Sequence, residues 1–469
     1  MAAITQLIPN FLGGVSKQND DRKLEGQVSE CINGYPDPTY GLLKRPGMKF
    51  IDQLKNNVGA PFNKAALNGA VWTFIDRGAQ GSYVAAIKGS VIYAWTTDGQ
   101  WCDVTAPGGG AYATSYLTTF DAPATEPSFH FRSIQDTTII TNKTITADMQ
   151  AAPVDGVDYV SNSVATLKLI TLVETFEYTV TFPAAAANNT DDVVAQVTAQ
   201  NNTTFDDMLL YDAANVNANH HLIDAIKATI EAQHTAGNTN FNGTWYLEGY
   251  TNSIVIKRST GTNAVVTDYR AVTGSPVAFN IDARGGLNNT ALEVFEDDVI
   301  DVSKLPLESF GGHVVRILNS DAAEDDYYVK FVAYDTTLNR GRGYWKETIA
   351  RDASPGLIAS TMPHALINTG EFTFTFGTIN WSDRLAGDDT TNPQPSFVGK
   401  KINATFFYNN RFGVLSEDNV ILGVANDAYN FFAKSALTQI DSDPIDISCS
   451  SIRPTSLHAV VPTAQGVVL

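Results

Sequence analysis

The sequence predicts a mainly β protein with one inserted α+β module. Three observations lead there. Short runs of β-branched and aromatic residues recur towards both ends of the chain, separated by turn residues. One stretch in the middle has the i, i+4 apolar spacing of an amphipathic helix. Apolar residues make up 43% of the chain and charged residues only 17%, so sizeable cores can form and much of the surface must be Asn, Thr, Ser and Gln.

Residues 1–55 read as a separate N-terminal segment. Gly13-Gly14 permits a sharp bend without a Cβ penalty, and Arg45-Pro46-Gly47 makes a turn before a strand at 48–51. Residues 56–160 hold a first meander: runs at 66–75, 83–87 and 91–95 are broken by Gly78, Gly81, Gly89 and Gly99, with Thr137–Thr141 as a fourth strand. Four-stranded units of this kind suit a sandwich or a propeller blade.

Residues 161–290 change character. Leu167–Val173 and Phe176–Phe182 read as a hairpin, and Thr190 before Asp191-Asp192 reads as the N-cap of a short helix over 191–200. Ala218–Gln233 is the main helix, with Leu222, Ile226 and Ile230 on one face and Gly237 as its stop; strands at 244–249 and 253–258 follow. Residues 291–395 carry strands at Val314–Ile317, Tyr327–Tyr334, Gly343–Ile349 and Phe372–Phe376, then a turn-dense loop at 387–397. Residues 396–469 resume the meander at Lys401–Tyr408, Arg411–Ser416, Val420–Val424 and Ile445–Cys449. The chain ends inside the apolar run Val467-Val468-Leu469, so the native product is expected to continue beyond Leu469 and the last meander to be cut short.

There are 31 basic against 50 acidic side chains, a net charge of −19. That excludes a protein whose main task is to grip phosphates. The charge is uneven: residues 1–50 sum to +1, whereas residues 291–335 sum to −8. The acids Glu296, Asp297, Asp298, Asp321, Glu324, Asp325 and Asp326 concentrate there, either as a solvated face or as a functional negative field. Cys31, Cys102 and Cys449 are too few and too scattered for a disulfide framework, which fits a reducing cytoplasm. No run of about 18 apolar residues predicts a membrane-spanning helix.

The search for catalysis returns no Gly-x-Ser-x-Gly elbow, Walker loop, dinucleotide fingerprint or His-Glu-x-x-His. No cofactor and no metal site is expected. His220-His221 point about 100° apart on a helix and make a poor chelate. Asp441, Asp443 and Asp446 lack the glycine and closing glutamate of a calcium loop and suit turn chemistry instead. Arg340-Gly-Arg342-Gly-Tyr344-Trp345 could stack on bases or form ion pairs, and the ion-pair reading is preferred.

Particular residues add a resemblance. Ile4-Thr5-Gln6, Asn10 to Gln18, Asn33-Gly34-Tyr35 and Gly41 to Gly47 open the chain; Tyr327-Tyr328-Val329, Trp345 to Thr348 and Thr361 to Leu366 follow. The densest block runs from Asp389-Thr390-Thr391-Asn392-Pro393 through Pro395 to Gly399, Phe406-Phe407-Tyr408 and Asn410 to Gly413, and ends at Asp443 to Ile447. Together they resemble the tail tubular protein B family, the tail nozzle of short-tailed double-stranded DNA bacteriophages. Residues 160–310 match it poorly.

The resemblance implies a structural, non-enzymatic component of the virion tail, assembled in the host cytoplasm. It implies a six-fold homo-oligomeric ring, a β-propeller in each subunit, and docking to the tail adaptor (tail tubular protein A) and to tail fibres. Double-stranded DNA would pass through without specific binding. On this reading Asn10, Gly13, Gly14, Lys44 and Arg45 are the adaptor-contact candidates, and the seven acids named above line the channel. Two alternatives stand beside it. The Asn/Thr-rich stretch 184–290 could contact host glycans or fibres, and a polysaccharide hydrolase could use the carboxylates with exposed-type aromatics such as Trp245 and Trp381.

Overall fold

The computed structural model describes residues 11–78, 81–118, 128–152, 164–170, 177–182, 193–198, 222–235, 243–250, 252–260, 264–266, 279, 281–285, 290–319, 326–449, 456–463 and 466–468. Strands dominate, as expected, and Leu222–Thr235 is the long helix among the described residues. The chain divides into two compact units.

The first unit comprises residues 1–62 with the hairpin tip Trp95–Trp101. Its regular structure is slight: a hairpin of Gly34–Asp37 with Gly41–Lys44, a single 3-10 turn at Asp20–Arg22, and isolated bridges between Val15 and Val28 and between Lys55 and Pro61. A strap at residues 52–62 lies on the hairpin tip. Lys55 N donates to Gly99 O at 2.9 Å, Trp95 Nε1 donates to Lys55 O at 2.8 Å, and Phe62 packs edge-on against Trp95 at 5.2 Å. Gly99 must be glycine: its φ is +85°, and a Cβ there would sit 2.8 Å from Gln53 O. The expected strand at 48–51 is not formed. Among the described residues nothing pairs with it, and a strand without a ladder partner leaves its backbone to water.

The second unit spans Asn63–Ala94 and Cys102–Leu469. Its largest sheet has eight strands in the order Val71–Asp76, Ser82–Lys88, Val91–Thr96, Trp101–Thr105, Thr373–Thr378, His364–Gly370, Thr137–Asn142 and Phe129–Ile134. The sheet curls until its two edge strands meet, giving a nearly closed barrel. Arg77, just past one edge, ion-pairs with Asp136 beside the other and donates to Asn368 Oδ1 at 2.6 Å. Ile75, Tyr83, Ile92, Phe129, Ile140, Phe374 and Phe376 fill the interior. The first meander is therefore real, but Thr137–Thr141 is not its fourth strand. Trp101–Thr105 takes that place and pairs in parallel with Thr373–Thr378, so residues distant in sequence complete the sheet.

In the middle region the helix Leu222–Thr235 packs among strands, and two of the expected elements differ. Val164–Leu169 and Glu177–Phe182 are not a hairpin; they belong to a five-stranded and a three-stranded sheet respectively. Residues 193–198 are a strand paired with Glu177–Phe182 rather than a short helix. The acidic start suggested a cap, yet Val193, Val194 and Val197 favour an extended chain once a partner is present. Ile226 and Ile230 of the helix are fully buried against Trp245, Tyr178 and Val180. His220 and His221 lie outside the described residues.

Next comes a five-stranded sheet ordered Asp298–Val299, Val314–Ile317, Tyr327–Ala333, Arg340–Thr348 and Glu308–Phe310. A four-stranded antiparallel meander follows, made of Ala404–Tyr408, Arg411–Ser416, Asn419–Leu422 and Ile445–Ser448, and then a hairpin of Val461–Thr463 with Gly466–Val468. Asn409 and Asn410, both at positive φ, close the meander's first hairpin as a two-residue turn, a conformation asparagine tolerates.

Candidate functional site

The acidic stretch is built around the parallel pairing of Asp298–Val299 with Arg316–Ile317, which brings two carboxylates to one guanidinium. Arg316 grips Asp298 with two hydrogen bonds of 3.1 and 3.3 Å, and its Nε lies 3.9 Å from Asp326. Asp326 is buried, and its other oxygen accepts from Asn319 N at 2.7 Å. Asp297 pairs with Arg351, which also donates to Val314 O at 3.3 Å. Glu296 differs. Burial, and then the charge of Asp297, push its carboxyl up to about 7, so near neutral pH it is partly protonated.

Behind these acids sits His313, fully enclosed. Its Nδ1 meets Ser309 Oγ at 2.7 Å and its Nε2 meets the Glu296 carbonyl oxygen at 2.7 Å. Burial lowers its pKa to about 4, so the ring is neutral. Both ring nitrogens are satisfied, and Ser309 is itself buried, so the pair fastens the sheet rather than presenting a nucleophile.

The structure thus brings Glu296, Asp297, Asp298 and Asp326 together, each inside a local network; Asp321, Glu324 and Asp325 lie outside the described residues. Sequence spacing showed the cluster. It missed that Arg316, inside the same stretch, and Arg351, beyond it, neutralise much of its described part.

The N-terminal candidates are placed differently. A Cβ on Gly13 would lie 2.9 Å from the backbone of Gly26 and Gln27, and Gly14 has φ +78°, so both glycines serve a close approach and a turn. Lys44 and Arg45 are exposed at the end of the Gly41–Lys44 strand, where Arg45 N donates to Asn33 O at 2.7 Å. Asn10 lies outside the described residues.

The remaining motifs resolve. Arg340 forms an ion pair with Glu248 at 2.7 Å and lies over the Tyr246 ring at 5.3 Å. Tyr246 and Tyr250 hydroxyls donate to the same carboxylate at 2.5 and 2.8 Å. Burial raises the Glu248 pKa, but the donors Tyr246, Arg340 and Tyr250 together outweigh it and hold the group below the usual range. This ties the α+β module to the sheet that follows. Asp443 Oδ2 accepts from Ile440 N at 2.9 Å, as turn chemistry requires, and the buried Arg411 fastens the same turn by donating to Asp443 O at 2.6 Å. Trp245 and Trp381 are not exposed: they are buried at 0% and 6%, and Trp381 packs on Phe412, Tyr429 and Phe431. A carbohydrate could not stack on either ring, and the hydrolase reading loses that support.

The comparisons with known proteins agree with this picture of a structural chain. A profile of the bacteriophage nozzle protein family matches residues 1–469. The tail tubular protein gp12 of Escherichia phage T7 is 26% identical over 474 residues, covering 100% of this chain and 52% of the relative. The chain therefore spans about half the length of the curated relative it matches. It belongs to the bacteriophage nozzle protein family.

Proposed function

We propose that this nozzle-family chain forms part of a ring at the end of a phage tail, through which double-stranded DNA leaves the virion. The observation that carries the reading is the family match over every residue of the chain. The same proposal includes six copies in the ring, an incomplete propeller to which the Ala404–Ser448 meander contributes a blade, and docking to a tail adaptor and to tail fibres. The meander is four-stranded and antiparallel, the form a propeller blade takes.

The net charge of −19 supports a bore that repels phosphate. A basic wall would release counterions and hold the duplex at every contact, whereas an acidic one keeps it centred within a screening length of about 8–10 Å. Asp297, Asp298 and Asp326 are paired locally and Glu296 is partly protonated, which narrows the candidates for that field to the remaining three acids, Asp321, Glu324 and Asp325. Adaptor contact is assigned to the exposed Lys44 and Arg45, with Asn10, Gly13 and Gly14 in the same N-terminal segment.

The test is ejection. Virions carrying Asp321→Asn, Glu324→Gln and Asp325→Asn should release DNA more slowly as the wall loses its repulsion. Unchanged ejection kinetics would defeat the assignment of these acids to the bore.

A further inference from the structure

Two strand-like segments lack partners, and their chemistry is complementary. The first is residues 47–51. Met48, Phe50 and Ile51 are 93%, 79% and 71% exposed, and among the described residues no backbone group of this segment is hydrogen-bonded. The second is the edge strand Ile445–Ser448 of the C-terminal meander. All four of its residues are exposed, Ile445 at 40% and Ile447 at 56%, and among the described residues no strand lies beyond it.

The register of that edge can be read. Cys449 N donates to Asp418 O at 2.8 Å, so the hydrogen-bonded pairs with the neighbouring strand fall at 449, 447 and 445. The N–H and C=O groups of Asp446 and Ser448 therefore point outward. Several antiparallel registers would satisfy these backbone groups, and one of them also matches the side chains: Met48 opposite Ile447, Lys49 opposite Asp446 and Phe50 opposite Ile445. The apolar pairs then share one face and Lys49 meets Asp446 on the other, where the Asp446 carboxylate already accepts from Ser396 N and Oγ at 2.7 Å each and keeps lone pairs for the ammonium. Gly47 falls opposite Ser448.

We propose that residues 47–51 of one copy add as a fifth strand to the Ile445–Ser448 edge of a neighbouring copy. This rests on the ring reading above. Each copy carries both halves of the contact, so the interface is head-to-tail and propagates from copy to copy until the rotation closes. It explains why a sequence with strand character at 48–51 is unpaired in the single chain. It also removes two exposed apolar strand surfaces that would otherwise invite aggregation.

Disulfide trapping tests it on the full chain. With Cys31→Ser and Cys449→Ser to clear accessible thiols, Met48→Cys and Ile447→Cys together should oxidise to a ladder of covalent oligomers, and either cysteine alone to nothing beyond a dimer. In parallel, Lys49→Glu should weaken assembly roughly fivefold and Lys49→Arg should retain it, while Asp446 is left in place because Ser396 N and Oγ both donate to it. Rings seen by native mass spectrometry without a ladder would overturn the strand exchange and leave the ring standing. A chain that stays monomeric at every concentration would overturn both. A disulfide closed within one monomer would overturn the contact between copies.

Discussion

Residues 11–62 and the barrel treat apolar residues in opposite ways. In the barrel, Phe374 and Phe376 are sealed inside and touch Tyr83 and Tyr112 edge-on at 5.1 and 5.5 Å. From residue 11 to residue 62 not one side chain is buried, although the stretch includes Leu24, Ile32, Tyr40, Met48, Phe50 and Ile51. A segment that gains so little from burial offsets little of its ordering entropy alone. Its apolar residues are better explained by contacts with other chains than by folding, and that contrast can be attacked by mutation.

The largest effect should come from the barrel. Phe374→Ala removes a ring enclosed on all sides and should cost about 3–5 kcal/mol in denaturant unfolding. Phe50→Ala should leave unfolding within about 0.5 kcal/mol while weakening assembly measured by sedimentation. A comparable loss of stability at both positions would erase the contrast.

Next in size are two changes in the second unit. Gly413→Ala would set a Cβ 2.3 Å from the buried Phe406 ring, and overpacking of this kind should cost about 1–3 kcal/mol. Gly47→Ala in the first unit meets nothing within 4 Å and should be neutral for stability. Arg340→Ala leaves Glu248 with its two tyrosine donors only and should cost about 1–3 kcal/mol by the same unfolding assay.

Acid response should also localise to the second unit. Burial lowers His130, His313 and His364 to about 4, so the stability they confer is complete above the unfolded imidazole value and is lost as pH falls from about 6.5 towards 4. Glu296 acts the other way. Its carboxyl is raised to about 7, so its contribution is present at low pH and is lost as pH climbs from about 4.5 to 7. Thermal unfolding of Glu296→Gln across this range should therefore rise more steeply with pH than that of the parent. An unchanged slope would remove Glu296 from the account.

Local order was legible in the residues themselves. The helix face of Ile226 and Ile230, the strands 244–249 and 253–258, and the strands on either side of Asn409-Asn410 all follow from spacing and turn chemistry. Long-range pairing was not legible. Nothing near Trp101–Thr105 in number announces that Thr373–Thr378 will lie beside it, because a parallel neighbour needs no turn signal. The same limit hid the arginines Arg316 and Arg351 that neutralise Asp298 and Asp297. Residues 193–198 depart from the expected helix for a related reason: a capping pattern is local, and the ladder with Glu177–Phe182 overrides it.

Electron microscopy of the isolated protein bears most directly on the central claim. The account predicts closed annuli with a central hole wide enough for a DNA duplex, dispersed by Phe50→Ala while the subunits remain folded. Folded monomers at every concentration, or solid particles without a hole, would contradict it.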